Sequence, residues 1–251
     1  MIVLQYILNV IYYLLFGLIL VAFHALQWLS FNLSGYQAHK KSVDLLNWFL
    51  VTNLRLLGTQ FHISGDRHFS SDKPHIIIAN HQSMYDIPPI IWYLRKLHPK
   101  FISKKKLGKG IPAISYNLRH GGSVLIERDN PQQAENAIRE IGKYIKKYNR
   151  SVVIFPEGTR SKDGKPKRFA KGGLRYLLEE CSNAEVVPVS IKNAWKLHRK
   201  GMFPLNIGVN YELHVHPPIL AADYKFDDLH AQVERTIIKS CYGDSFPESL
   251  S

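Results

Sequence analysis

The side chains best equipped for chemistry stand in short polar strings. His81 and Asp86 belong to Asn80-His81-Gln82-Ser83-Met84-Tyr85-Asp86. A histidine that moves a proton needs one ring nitrogen free and the other held by a partner that fixes its tautomer, and a carboxylate serves well. Five residues along a regular helix turn through about 500°, which leaves the two side chains roughly 140° apart. Contact therefore requires at least one of them outside a helix. Pro88 and Pro89 agree with this: Asp86 is expected to cap a helix opening at Ile87, with His81 in the loop before it. Most of the chain's 12 histidines are expected to be ordinary solvated or hydrogen-bonded imidazoles; the string around His81 sets it apart.

Glu157-Gly158-Thr159-Arg160 is the second string. Arginine offers a planar fork for phosphate, and glycine lets backbone approach a ligand. The carboxylate beside it can orient the guanidinium or meet a substrate hydroxyl. A surface turn with a local ion pair is the plainer reading. Against it stand Arg128, in Glu127-Arg128-Asp129, and the tract Lys162, Lys165, Lys167, Arg168, Lys171 and Arg175, opposed only by Asp163. Lys171-Gly172-Gly173 opens a helical pattern, and helix N-termini favour anions. Taken alone, the tract reads as a solvated basic loop.

Each string follows an apolar run. Expected strands are 60–64, 75–79, 100–103, 123–127, 151–155, 185–191 and 207–214, with helical patterns at 87–97, 131–148, 172–181 and 226–242. Such alternation predicts an α/β domain whose mixed, largely parallel sheet is flanked by helices. Ligands in open α/β sheets bind at the carboxyl ends of strands. Runs 75–79, 123–127 and 151–155 all deliver their polar strings there, so parallel neighbours would build one pocket.

Ahead of that domain the composition changes. The chain has 251 residues with 33 Lys+Arg against 20 Asp+Glu, a formal charge of +13, yet residues 1–39 contain none of these four types. The apolar fraction of 45% excludes global disorder, and two cysteines, Cys181 and Cys241, exclude a disulfide scaffold. Residues 2–23 would form a helix of roughly 33 Å, near the thickness of a bilayer's hydrocarbon. Ser34-Gly35 breaks the run, and Ser42 is expected to cap a second apolar helix that stops at Gly58. The expected partition is a membrane-associated helical hairpin over 1–58 and an α/β domain over 59–251. Lys40 and Lys41 favour the cytoplasmic face for the domain. The positive balance points to an anionic partner: nucleic acid, membrane or phosphorylated substrate. No set of side chains has metal-ligand spacing; His214 and His216 share a strand face but precede Pro217-Pro218 and lack a third ligand.

These strings resemble those of the 1-acylglycerol-3-phosphate acyltransferases, the lysophosphatidate acyltransferases of the glycerolipid acyltransferase superfamily. The resemblance rests on four ordered blocks: Asn80–Asp86, Val124-Leu125-Ile126-Glu127-Arg128, Phe155-Pro156-Glu157-Gly158-Thr159-Arg160-Ser161, and Val187-Pro188-Val189. It covers about residues 60–217; Glu127 stands where aspartate is more usual. The resemblance implies transfer of an acyl chain from acyl-CoA or acyl-carrier protein to the sn-2 hydroxyl of lysophosphatidate, giving phosphatidate. His81 would then be the general base and Asp86 its partner. Arg128, Glu157, Gly158, Thr159, Arg160 and Lys171 would bind the acceptor's head group. The donor is a substrate, and no resident cofactor is expected. The bilayer, the lysophosphatidate and the donor are the expected partners; nucleic acid is not. Rival readings are a related acyltransferase with another acceptor, and a non-enzymatic basic membrane- or nucleic-acid-binding protein.

Overall fold

The computed structural model describes residues 2–66, 68–70, 72–127 and 129–243. It opens with a long apolar helix, α1 (Ile2–Arg55), kinked at Gly35, whose φ of 70° and ψ of −161° are not helical. That region of backbone space is essentially reserved for glycine. The kink folds α1 into two limbs, 2–34 and 36–55, that pack antiparallel. Leu20 and Phe23 meet Leu46 and Leu50, Tyr12 meets Leu54, and Asn53 Nδ2 donates to the Tyr12 carbonyl at 3.1 Å. The expected hairpin thus turns on one glycine. Ser42 is not its cap: it lies inside the second limb, where its hydroxyl donates back to the His39 carbonyl at 2.7 Å, because the preceding turn is already helical.

The strands are β1 (Gln60–Gly65), β2 (His75–Ala79), β3 (Pro99–Lys104), β4 (Val124–Ile126), β5 (Ser151–Ile154), β6 (Glu185–Lys192), β7 (Asn210–Val215) and β8 (Ile219–Leu220). They form one sheet in the order β1-β7-β6-β2-β5-β3-β4, with β8 pairing to β6. From β6 to β4 every pairing is parallel; β7 and β8 run antiparallel to β6, and β1 is parallel to β7. This is the mixed, largely parallel sheet that the alternation of elements predicts. The helices that flank it are α2 (Ile87–Tyr93), α3 (Ile114–His120), α4 (Pro131–Tyr148), α5 (Gly172–Glu180) and α6 (Phe226–Tyr242). The expected helix over 87–97 ends earlier, at Tyr93, and continues as a 3-10 turn, Arg95–Leu97.

The pleat sorts the core. Along β2, Ile76 and Ile78 join Val152, Ile154 and Val186 beneath α4, α5 and α6, which contribute Ile141, Leu177 and Val233. Ile77 and Ala79 point the other way and join Val153 and Val187 beneath α2 and the second limb of α1, represented by Ile90 and Val43. Period-2 alternation in a strand covered on both faces therefore builds two helical layers from one apolar run. α4 shows its boundaries chemically: Asn130 Oδ1 accepts from Gln133 N, Pro131 occupies the first turn, and Asn149 ends it at φ 46°.

Candidate active site

The carboxyl ends of β2 and β5 lie side by side, since Ile78 registers with Ile154. Beyond β2 the chain leaves the sheet at Asn80. Its amide replaces a missing strand pairing: Nδ2 donates to the Ile191 carbonyl at 2.8 Å, and Oδ1 accepts from Ile191 N at 2.7 Å. The next residue is His81, in the loop as expected.

His81 Nδ1 lies 2.8 Å from Asp86 Oδ2. The same oxygen accepts from Gln82 N at 2.7 Å and Ser83 N at 2.9 Å. Asp86 is completely buried, whereas the His81 side chain keeps 18% exposure. The carboxylate does not cap α2; it turns back to close a capping box with Ser83, whose hydroxyl accepts from Tyr85 N. Three donors converge on this one oxygen in a dry place, while Oδ1 is buried without a hydrogen bond among the described residues. The imidazole stacks on Phe155 with centroids 4.2 Å apart and planes 20° from parallel. Ring plane and tautomer are both fixed, and Nε2 makes no hydrogen bond among the described residues.

The turn after β5 grips the backbone of the same histidine. Glu157 Oε1 accepts from His81 N at 2.8 Å, and Ser161 N donates to the His81 carbonyl at 2.8 Å. Glu157 Oε2 accepts from Lys167 N at 3.3 Å. Burial pushes the Glu157 carboxyl up to about 7 despite these two amides. Glu157 therefore clamps two loops together. Gly158 makes the turn possible at φ 69°. Thr159 Oγ1 accepts from Lys167 Nζ at 2.7 Å. Arg160 is exposed, and its guanidinium has no hydrogen bond or ion pair among the described residues.

Two expected members stand differently. Lys171 Nζ donates to Asp227 Oδ1 at 2.6 Å, tying the start of α5 to α6. Its charge is engaged there by a solvent-exposed carboxylate. Arg128 lies outside the described residues. The strand before it, β4, runs parallel to β5 but with β3 between them, so its end at Ile126 lies on the same edge about two strand spacings, roughly 10 Å, away. His214 and His216 are satisfied by serines: Ser64 Oγ lies 2.9 Å from His214 Nδ1, and Ser190 Oγ 2.7 Å from His216 Nε2.

His198 belongs near this site and carried no motif. It ends the 3-10 turn Ala194–His198 that follows β6. Burial first, then the charge of Arg160, pull its pKa down, while Asp86 and His81 also act on it. Its Nδ1 is buried without a partner. The neighbouring Trp195 indole covers Gly164, whose carbonyl accepts from Gln82 Nε2 at 3.0 Å. Only folding brings this turn beside the dyad, so spacing along the chain gave no sign of it.

An imidazole held by a buried carboxylate at the strand ends of an α/β sheet has the geometry that general acid–base chemistry requires. The chain matches the Acyltransferase family model over residues 60–192 and belongs to that family. Among its relatives are proteins named 1-acyl-sn-glycerol-3-phosphate acyltransferase. The one from Cocos nucifera is 30% identical over 82% of this chain and 61% of its own length. The one from Limnanthes douglasii is 31% identical over 77% and 66%, so this chain spans less than two thirds of either plant protein. The one from Borreliella burgdorferi is 27% identical over 74% of both chains. The crystal structure of the 1-acyl-sn-glycerophosphate (LPA) acyltransferase PlsC from Thermotoga maritima superposes with a TM-score of 0.79, covering 95% of each chain at 24% identity. That superposition shows the fold.

Proposed function

We propose that the protein transfers an acyl chain from a thioester, acyl-CoA or acyl-carrier protein, to the sn-2 hydroxyl of 1-acylglycerol-3-phosphate, making phosphatidate. The observation that carries this reading is the His81–Asp86 pair, 2.8 Å apart with Asp86 fully buried; the names of the relatives supply the substrate class. His81 Nε2 takes the proton from the acceptor hydroxyl as its oxygen attacks the thioester carbonyl. The tetrahedral oxyanion collapses, the C–S bond breaks, and the leaving thiolate takes the proton back from the imidazolium. Asp86 holds the tautomer and stabilises that imidazolium. No enzyme nucleophile and no resident cofactor enter the scheme. Burial raises the thiols of Cys181 and Cys241 to about 11 and 12, which makes poor nucleophiles of both. Arg160, exposed and with its guanidinium unpaired among the described residues, binds the acceptor phosphate.

The first limb of α1 presents Leu14, Leu18, Val21, Trp28 and Leu33 to solvent. By length and composition α1 is apolar enough to cross a membrane. We read its exposed face as the surface that seats the enzyme on a bilayer, with the active domain on the cytoplasmic side.

A panel of acceptors tests the assignment. Lysophosphatidate should be acylated at least tenfold faster than glycerol-3-phosphate or lysophosphatidylcholine; equal or slower turnover contradicts it. Arg160→Ala should lower kcat/KM for lysophosphatidate by about 2–4 kcal/mol. Unchanged kinetic constants would remove Arg160 from the site.

A further inference from the structure

At the opposite end of the sheet, the amino ends of β3 and β5 meet the bend of the helical hairpin. Lys100 stands in β3 beside Val152 of β5, and Arg150 immediately precedes β5. Both cations face the ring of Tyr36, one residue past the kink. The Arg150 guanidinium lies 3.7 Å from its centroid and the Lys100 ammonium 4.9 Å. The Tyr36 hydroxyl lies 3.0 Å from His98 Nδ1.

The charges here do not balance. Lys100 is 6% exposed, yet its ammonium has no hydrogen bond and no ion pair among the described residues. Arg150 donates to the Tyr144 hydroxyl, a neutral partner. The carboxylate of this cluster, Asp44, is taken by Lys40. Tyrosine faces attract cations but do not neutralise them. Asp44 acts on Lys100 from a distance but makes no ion pair with it, so three cations share one carboxylate around a largely buried ammonium, and such an arrangement is costly. His98 registers the resulting field: burial and then the positive charges of Lys40, Lys100 and Arg150 lower it to about 4. Lys100 responds in the same sense, lowered to about 7 by burial and then by Arg150 and Lys40, with Asp44 opposing.

We infer that Lys100 and Arg150, gathered around Tyr36, with the charge of Lys40 acting on Lys100 from the hairpin, form a binding site for a phosphoryl group, separate from the dyad and at the other end of the sheet. Length separates the two sites: β2 alone spans about 15 Å between these edges. A phosphoryl oxygen accepts from the Lys100 ammonium, supplies counter-charge to the cluster, and accepts from the N–H edge of the Arg150 fork, whose faces are taken by the Tyr36, Tyr144 and Tyr148 rings. Such a group ties the hairpin to the amino ends of β3 and β5, since Lys40 and Tyr36 come from the hairpin and the other two cations from the domain. Its source is either the head group of a lipid, brought by the apolar helix, or phosphate from solution.

Thermal unfolding of the full chain separates the outcomes, carried out in the Arg160→Ala background so that the proposed acceptor pocket does not contribute. Inorganic phosphate in the millimolar range should raise the unfolding temperature of that protein. Lys100→Met keeps the apolar stem and removes the buried charge. It should be more stable than its parent without phosphate and should bind phosphate about tenfold more weakly, the weight of one charge-assisted hydrogen bond. Arg150→Gln should show the same loss, which covers the case in which Lys100→Met does not fold. Short-chain phosphatidate binding tenfold or more tightly than inorganic phosphate assigns the site to lipid head groups; equal affinity assigns it to free phosphate. No phosphate response in the Arg160→Ala protein, or an undiminished one in both cluster variants, overturns the inference.

Discussion

His81 is held at three points by three different kinds of contact. Asp86 takes Nδ1, Phe155 takes the ring face, and the turn after β5 takes both backbone groups. Nε2 alone is left for chemistry. Asp86→Asn keeps the shape but removes the charge that stabilises an imidazolium, so kcat should fall by roughly 10²–10⁴-fold with folding retained; activity within threefold of wild type would refute that role. Glu157 makes a second prediction, with a sign. Its folded pKa, raised by burial to about 7, lies above the unfolded value, so its protonated form favours folding. That contribution is fully present below about pH 4.5 and is lost as pH rises through 7. Glu157→Gln still accepts from His81 N. Denaturant titrations should find the variant more stable than wild type at pH 8, on the order of 2–3 kcal/mol, and no more stable than it at about pH 4, where the wild-type carboxyl is protonated and Gln has lost the bond from Lys167 N. Parity at both pH values would mean that the carboxyl is not strained by burial. The His81–Asp86 pair was legible because a spacing of five with two prolines behind it excludes a helix through both. The role of Glu157 was not, because its partner His81 lies 76 residues away in the chain and beside it only across paired strands.

Seven strands and four helices stand close to where periodicity and punctuation put them, and the helix over residues 131–148 coincides at both ends. Asparagine before proline starts it and a left-handed asparagine stops it, both local signals. What escaped is what local signals do not encode. β8 has two residues and exists by pairing with β6. α3 has seven, too few to display a period. The hairpin shows both cases at once: Gly35 was legible as the break, whereas Ser42 imitated a cap inside a continuing helix. At Gly35 nothing lies within 4 Å of an added Cβ, so Gly35→Ala meets no clash and its cost is purely conformational. We expect about 1–3 kcal/mol of destabilisation by chemical denaturation. A neutral result would show that the bend needs no glycine.

Across the whole molecule, +13 of charge and a charge-free leader of 39 residues divide the surface. Buried members of α1, such as Tyr12, Leu20, Leu46 and Leu54, join it to the domain, and the outward face stays apolar. Leu14 and Leu18 are 69% and 64% exposed, so Leu14→Glu with Leu18→Glu should change unfolding by less than about 0.5 kcal/mol. The same pair should weaken binding to anionic vesicles at least tenfold, because each leucine contributes about 1.5–3 kcal/mol when buried in hydrocarbon. Vesicle binding equal to wild type would move the membrane surface elsewhere. The overall positive charge was legible from composition, and so was the helix. Its distribution between the dyad's edge and the hairpin bend was not, because Lys100, Arg150 and Lys40 converge only through the sheet.

The central claim is that His81 moves the proton in acyl transfer to lysophosphatidate. Its most direct test is the rate of phosphatidate formation by purified wild type and His81→Ala, with lysophosphatidate in vesicles and an acyl thioester in solution. We predict turnover by the wild type, a loss of at least a thousandfold in the variant, and equal vesicle binding by the two proteins. Turnover by His81→Ala at the wild-type rate would contradict the account.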